Sequence, residues 1–170
     1  MTAAVCRAQQ TATVTVLGPA GAGVRTFVES ASDIDRLPTA VGPTRARPPF
    51  QIGRLDVGDE LVVRLLALSP DEEHRSLWPA LAADAFGMIV VLDGAHIETG
   101  FPSLDLVERA GLPYGVVLNR FGGRLDHTID EFRAAMDLEQ RVALADADGR
   151  DRVQAQMALL TAVDGLFGWS

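Results

Sequence analysis

The run VTVLGPAGAGVRTFV, from Val14 to Val28, constrains the fold more than any other stretch of the chain. Val14, Val16 and Leu17 read as a buried strand, Gly18, Gly21 and Gly23 as a tight loop, and the residues from Arg25 onward as the first turns of a helix. A strand, a glycine-rich loop and a helix N-terminus make the usual phosphate cradle of α/β proteins. Glycine lets the backbone come close to an anion, and the first helical N–H groups and the positive end of the helix dipole face it. Gly18 and Gly23 have the separation of the pattern G-x-x-x-x-G-K-[ST]. The next two positions are Val24 and Arg25, so the phosphate lysine and the magnesium-binding hydroxyl are both missing. All fifteen basic residues are arginines, so no lysine elsewhere can take over.

A chain of 170 residues, 48% of them hydrophobic, is expected to form one domain, here 11–170, behind a frayed tail at 1–10. No apolar run reaches the roughly 18–20 residues of a membrane span, and the N-terminus lacks the apolar stretch of a signal peptide. The single cysteine, Cys6, excludes an internal disulfide and suits the cytoplasm. A formal charge of −8 argues against nucleic acid and against unaided binding to anionic lipid. With 6% aromatics there is little from which to build base-stacking platforms.

Along the chain, Thr11 to Leu17 reads as the first strand, its Thr and Val β-branched. The helix after the loop is expected to end near Ser32–Asp33. Pro38, Pro43, Pro48 and Pro49 then exclude regular structure up to Phe50, and Arg45 and Arg47 make this loop locally basic. It is either a solvated loop or a partner-facing segment. Gln51 to Val57 and Glu60 to Leu68, joined through Gly58-Asp59, form a hairpin. After the polar segment Ser69 to Arg75, a helix is expected through Leu77, Leu81 and Phe86. Gly87 to Leu92 is a buried strand ending at Asp93. Pro102 to Ala110 is a helix stopped by Gly111. Tyr114 to Leu118 is a strand ending at Asn119. Thr128 and Glu131 form a capping box before a short helix to Met136. Val142 to Asp146 is the last strand, and Asp151 to Phe167 a closing helix with Val153, Met157, Leu160 and Phe167 on one face.

The order β-α-β-β-α-β-α-β-α-β-α predicts an α/β fold: a mixed six-stranded sheet, one strand antiparallel, with helices on both faces. Ligands of such sheets sit at the carboxyl ends of the strands. The Gly18–Gly23 loop, Ser69–Arg75, Asp93, Asn119 and Asp146 should therefore gather in one place. No His or Cys spacing suggests a metal, and neither a dinucleotide fingerprint nor a G-x-S-x-G elbow is present.

This order, with VLGPAGAGVRTFV, VVLDGAHIETGFPSLDLVERAGLP, VVLNRF and ALADADGRDRV, resembles the small Ras-like GTPases. It looks most like the bacterial gliding-motility type and its actinobacterial relatives, which are encoded beside roadblock-domain regulators. The resemblance implies a Ras-like P-loop three-layer sandwich over nearly the whole chain. Its phosphate lysine falls on Val24 and its magnesium hydroxyl on Arg25, followed by Thr26. The switch I threonine region falls on Arg45-Ala46-Arg47-Pro48, with Thr44 too early. Switch II, T-P-G-Q in the family, reads Ser69-Pro70-Asp71-Glu72. In N-[KR]-x-D, Asn119 and Arg120 are present, and the guanine-binding Asp falls on Gly122. The last box falls on Ala145-Asp146-Ala147.

Phosphoryl transfer rests on positioning and charge stabilisation, and Asp71 and Glu72 would add negative charge beside a triphosphate. The resemblance therefore implies a catalytically inactive relative, a pseudo-GTPase with no catalytic residue. Its nucleotide site, Gly18, Gly21, Gly23 to Thr26, Asn119, Arg120 and Ala145 to Ala147, would be vestigial. Arg25 could pair with Asp71 or Glu72, contact an anion, or face solvent. The expected work is protein–protein interaction through Pro38–Phe50 and Ser69–Trp78, with Arg45, Arg47, Phe50, Asp71, Glu72, His74, Arg75 and Trp78 on the contact surface. A roadblock-type dimer is the implied partner. The alternative is a switch that binds GTP or GDP with little or no hydrolysis.

Overall fold

The computed structural model describes residues 9–34, 50–68 and 77–168. The expected tail is outside the described residues up to position 8. So are the proline-rich loop from 35 to 49, the polar segment 69–76, and Trp169.

Among the described residues there are six strands, β1 (Gln10–Leu17), β2 (Phe50–Val57), β3 (Leu61–Leu68), β4 (Gly87–Asp93), β5 (Tyr114–Asn119) and β6 (Ala143–Ala147). They form one sheet in the order β2-β3-β1-β4-β5-β6. The hairpin pair β2–β3 is antiparallel and every other pair is parallel. The helices are α1 (Val24–Ala31), α2 (Trp78–Ala83), α3 (Phe101–Ala110), α4 (Ile129–Ala135) and α5 (Arg152–Phe167), with a 3-10 turn at Ile97–Gly100.

Side chains of a strand alternate between faces, so a strand covered on both sides must be apolar throughout. β4 does this: Ile89 and Val91 face α1 and α5, while Met88, Val90 and Leu92 face α3 and α4. Val14, Val16, Phe27, Leu65, Val117 and Leu159 complete the first core, and Leu17, Leu104, Val107, Leu118 and Phe132 the second. The expected three-layer α/β sandwich with one antiparallel strand is the observed architecture.

Besides one-residue shifts at several strand and helix ends, local readings differ from expectation in the second helix, in β6 and on α5. The second helix stops at Ala83 and does not reach Phe86, whose N–H donates to the carbonyl of Thr13 at 2.8 Å and so belongs to the sheet margin. β6 runs one residue later than expected, to Ala147. On α5, Val153, Met157, Leu160 and Phe167 do share a face, but that face is exposed; Ala155, Ala158, Leu159, Ala162, Val163 and Leu166 are the buried ones. Close approach explains the choice. A Cβ on Gly165 would lie 2.5 Å from the Cβ of Ala143, so at that point helix and sheet approach too closely for a side chain, and Leu159, Val163 and Leu166 fill the space on either side of Ala155, Ala158 and Ala162.

Candidate functional site

The loop between β1 and α1 is held by two close approaches. A Cβ on Gly18 would lie 2.2 Å from the carbonyl oxygen of Val91, so the loop crosses β4 where no side chain fits. Gly23, the N-cap of α1, is left-handed (φ 81°), and its own Cβ would lie 2.5 Å from Nδ2 of Asn119. The N–H of Phe27 donates to Gly23 at 2.9 Å. By helix geometry the N–H groups of the preceding turn have no partner within the helix, and no acidic side chain stands among those residues.

Val24, in the lysine position, is buried and belongs to the α1–α5 core. Arg25 is half-buried and Thr26 exposed. The expected partners of Arg25, Asp71 and Glu72, lie outside the described residues.

Asn119 ends β5 and is 1% exposed. Its Nδ2 donates to the carbonyl of Ala22 at 3.0 Å; its Oδ1 accepts from the N–H of Gly149 at 3.0 Å and of Phe121 at 3.2 Å. One buried amide thus ties the glycine loop, its own following turn and the β6–α5 turn into a single unit. Arg120 turns along the surface: its Nε is 2.9 Å from Asp146 Oδ2, at ion-pair distance but not aligned for a hydrogen bond, and its Nη2 donates to Gln154. Gln154 Oε1 also accepts from the N–H of Asp148 at 3.2 Å.

Gly122, where the guanine-binding aspartate would stand, has φ +82°. A Cβ there would lie 2.4 Å from Nη2 of Arg150 and 3.2 Å from Oδ2 of Asp148. Those two side chains form a fork, Nε to Oδ1 and Nη2 to Oδ2, both at 3.0 Å. The guanidinium holds the Asp148 carboxyl below the usual carboxylate range, and Asp148 raises Arg150 in turn. The ring of Phe121, itself left-handed (φ 49°) and exposed, stands over Gly23.

The structure brings Gly23 against Asn119 and sets Asp93 beside Asn119 in the register of β4 and β5, while Arg120 turns to Asp146 and Gln154. Of the last box, Ala147 is fully buried inside β6, Ala145 packs against the core, and only Asp146 is exposed, paired with Arg120. The residues that reach Asn119 and Gly122 are the next three, Asp148, Gly149 and Arg150, which sequence reasoning missed together with Phe121 and Gln154. The Asp148-Gly149 pair was the available signal, since such a dipeptide marks a turn after a strand. Asp93 ends β4; its Oδ1 accepts from the N–H of Ala95 at 2.9 Å, and its Oδ2 lies 3.1 Å from His96 Nδ1, which raises the His96 pKa. Among the described residues no group of three His, Cys, Asp or Glu is placed to hold a metal ion. Of the expected contact surface, Phe50 heads β2 and is exposed, and Trp78 opens α2. Arg45, Arg47, Asp71, Glu72, His74 and Arg75 lie outside the described residues. A cleft of about 580 Å³ lies between the first half of the glycine loop and α3, lined by Gly18, Pro19, Ser103 and Arg109 among others, and not by Asn119, Gly122 or β6.

Sheet order, loop and the Asn119 clasp together define a P-loop GTPase-like fold. Among solved structures the chain is similar to the bacterial selenocysteine-specific elongation factor EF-Sec, with a TM-score of 0.66 and 16% identity, over 96% of this chain and 29% of that one. The likeness is one of fold, and the chain spans under a third of that protein's length. No protein-family model and no curated protein matches the sequence. Among the described residues no helix is long and apolar enough to cross a membrane.

Proposed function

We propose that this chain is a pseudo-GTPase: a Ras-like domain that does not hydrolyse GTP and acts through protein–protein contacts, with a dimeric roadblock-type regulator as partner in a cytoplasmic signalling complex. One observation carries the reading. The position that supplies the phosphate lysine is Val24, and its side chain is buried in the α1–α5 core. Catalysis of phosphoryl transfer rests on charge placed against the developing oxyanions, and an alkyl group supplies none. The fork of Asp148 and Arg150 against Gly122 supports the loss of guanine recognition as well.

A second reading, a GTP- or GDP-binding switch with little or no hydrolysis, is favoured by the intact Asn119 clasp and the left-handed Gly23, which keep the loop in shape. Calorimetric and thermal-shift titration with GTP, GDP and ATP, with and without magnesium, separates the two. A pseudo-GTPase shows no stabilisation at millimolar nucleotide. A switch gains about 2.7 kcal/mol at a hundredfold excess over its dissociation constant. Binding of a roadblock homodimer that differs between GTP and GDP would sink the first reading.

A further inference from the structure

The core on the α3 and α4 side of the sheet takes its strand residues from β1, β4, β5 and β6, and none from β2 or β3. Side chains alternate along a strand, and Val63, Leu65 and Ala67 of β3 point into the other core, under α1 and α5. Arg64 and Leu66 therefore stand on the opposite face, outside the second core. Their cross-strand neighbours on β2 are Arg54 and Ile52, with Phe50 one step further along. Ile52 is 42% and Phe50 37% exposed, Arg64 is exposed and Leu66 is half-buried; Val62 and Leu68, at the two ends of this run, are buried.

Arg54 and Arg64 are directly opposed in the antiparallel register, so two guanidiniums share one place on the face. Like charges set opposite each other destabilise a sheet. Arg54 is partly compensated, its Nε lying 2.8 Å from Asp56 Oδ1. Arg64 has no hydrogen bond or ion pair among the described residues, and its neighbour in register on β1 is the neutral Thr13. The chain carries a formal charge of −8, so carboxylates are in excess, yet no described one is set against Arg64.

We propose that this face docks a protein partner that places a carboxylate between Arg64 and Arg54 and apolar side chains on Ile52, Leu66 and Phe50. The proposal rests on the pseudo-GTPase reading and gives the roadblock-type dimer a defined contact. A partner carboxylate supplies the counter-charge that the fold withholds, and apolar neighbours that exclude water strengthen the pairing. A phosphate surface fits less well: it would face the whole charge of −8, whereas one carboxylate among apolar groups answers the local pair alone.

Arg64→Glu separates docking from a structural role. It replaces the repulsion with Arg54 by a cross-strand attraction, so the urea midpoint of the isolated chain should rise. Calorimetric binding of a roadblock homodimer should weaken about tenfold or more, and Ile52→Asp should weaken it as well. Arg64→Lys should keep most of the affinity, and Met157→Glu, on the outer side of α5, should leave it unchanged. A homodimer that binds the wild type and is indifferent to Arg64→Glu overturns the docking face and leaves the reading of the domain standing. No binding by the wild type overturns both. A urea midpoint that falls with Arg64→Glu would give Arg64 a structural use and overturn the proposal. Sedimentation with vesicles of phosphatidylcholine and phosphatidylserine that Arg64→Glu abolishes would assign the face to lipid and overturn the protein partner.

Discussion

Replacing Asn119 by alanine should cost far more than the loss of a surface amide. The side chain makes three hydrogen bonds, all to backbone: to Ala22, Phe121 and Gly149. Phe121 is exposed, so its N–H regains water in the variant. The carbonyl of Ala22 and the N–H of Gly149 belong to buried residues and lose their partner where water is excluded. Each such orphan costs on the order of 1–3 kcal/mol, so about 3 kcal/mol in all is expected after some water enters the vacated space. Urea unfolding at pH 7 reads this as a lower midpoint at unchanged slope. Asn119→Asp sharpens the test. One carboxylate oxygen still accepts from Gly149 and Phe121, but the other faces the carbonyl of Ala22. Only the protonated acid can donate there, so the folded pKa of the variant is raised above its unfolded value. Its deficit against wild type should therefore shrink as the pH falls through the raised folded value toward the unfolded one, near 4. A loss below 1 kcal/mol for Asn119→Ala, with no pH dependence for Asn119→Asp, would show that the clasp does not hold the loop.

Val24→Lys restores the phosphate lysine to the pattern at the expense of core burial; stability should fall by about 2 kcal/mol, and calorimetry should still find no guanine nucleotide binding, since Arg25 and Gly122 are unchanged. The His96 ring should titrate above the usual 6.5 by NMR, because Asp93 hydrogen-bonds and attracts its protonated form, and Asp93→Asn should return it toward that value. As its folded pKa is the higher one, any stability from this pair is full below pH 6.5 and lost as the pH rises through the folded value. Thr128→Ala removes the hydroxyl that caps the Glu131 N–H and leaves the backbone arm from residue 128 to the Glu131 carboxylate; it should cost about 1 kcal/mol in thermal or urea unfolding. Hydrogen bonds from Thr128 hold the Glu131 pKa below its usual value, so this variant should lose part of the wild-type decline in stability on acidification.

Elements that punctuate themselves were legible in the sequence. Gly111 stops α3 at φ +66°, the Thr128–Glu131 box opens α4, Gly58 turns the hairpin, and the buried strands β4 and β5 were read within a residue of their ends. Period alone could not say which face of α5 is inside, because both faces are apolar and the selection is made by the separation of helix and sheet at Gly165 and Ala143. The same holds for the site. Asn119 and the glycine spacing were visible as motif positions. The role of Arg150 was not, since it depends on β6 ending at Ala147 and on the turn that brings the Asp148 fork against Gly122.

What the site keeps and what it lacks divide by the work each residue does. Asn119 bonds only to protein backbone, and Gly18 and Gly23 allow contacts with Val91 and Asn119 that no other residue permits. These residues hold β1, β4, β5 and the β6–α5 turn in place whether or not an anion sits on the loop. The phosphate lysine and the guanine-binding aspartate have no such duty; their side chains reach for nucleotide alone. At those two positions stand a core valine and a glycine covered by the Asp148–Arg150 pair. A chain that used nucleotide would need the second group as much as the first. On the proposed reading the chain uses only the shape of the domain, needs the first group, and can fill the second with packing and internal ion pairs such as those at Val24 and Gly122.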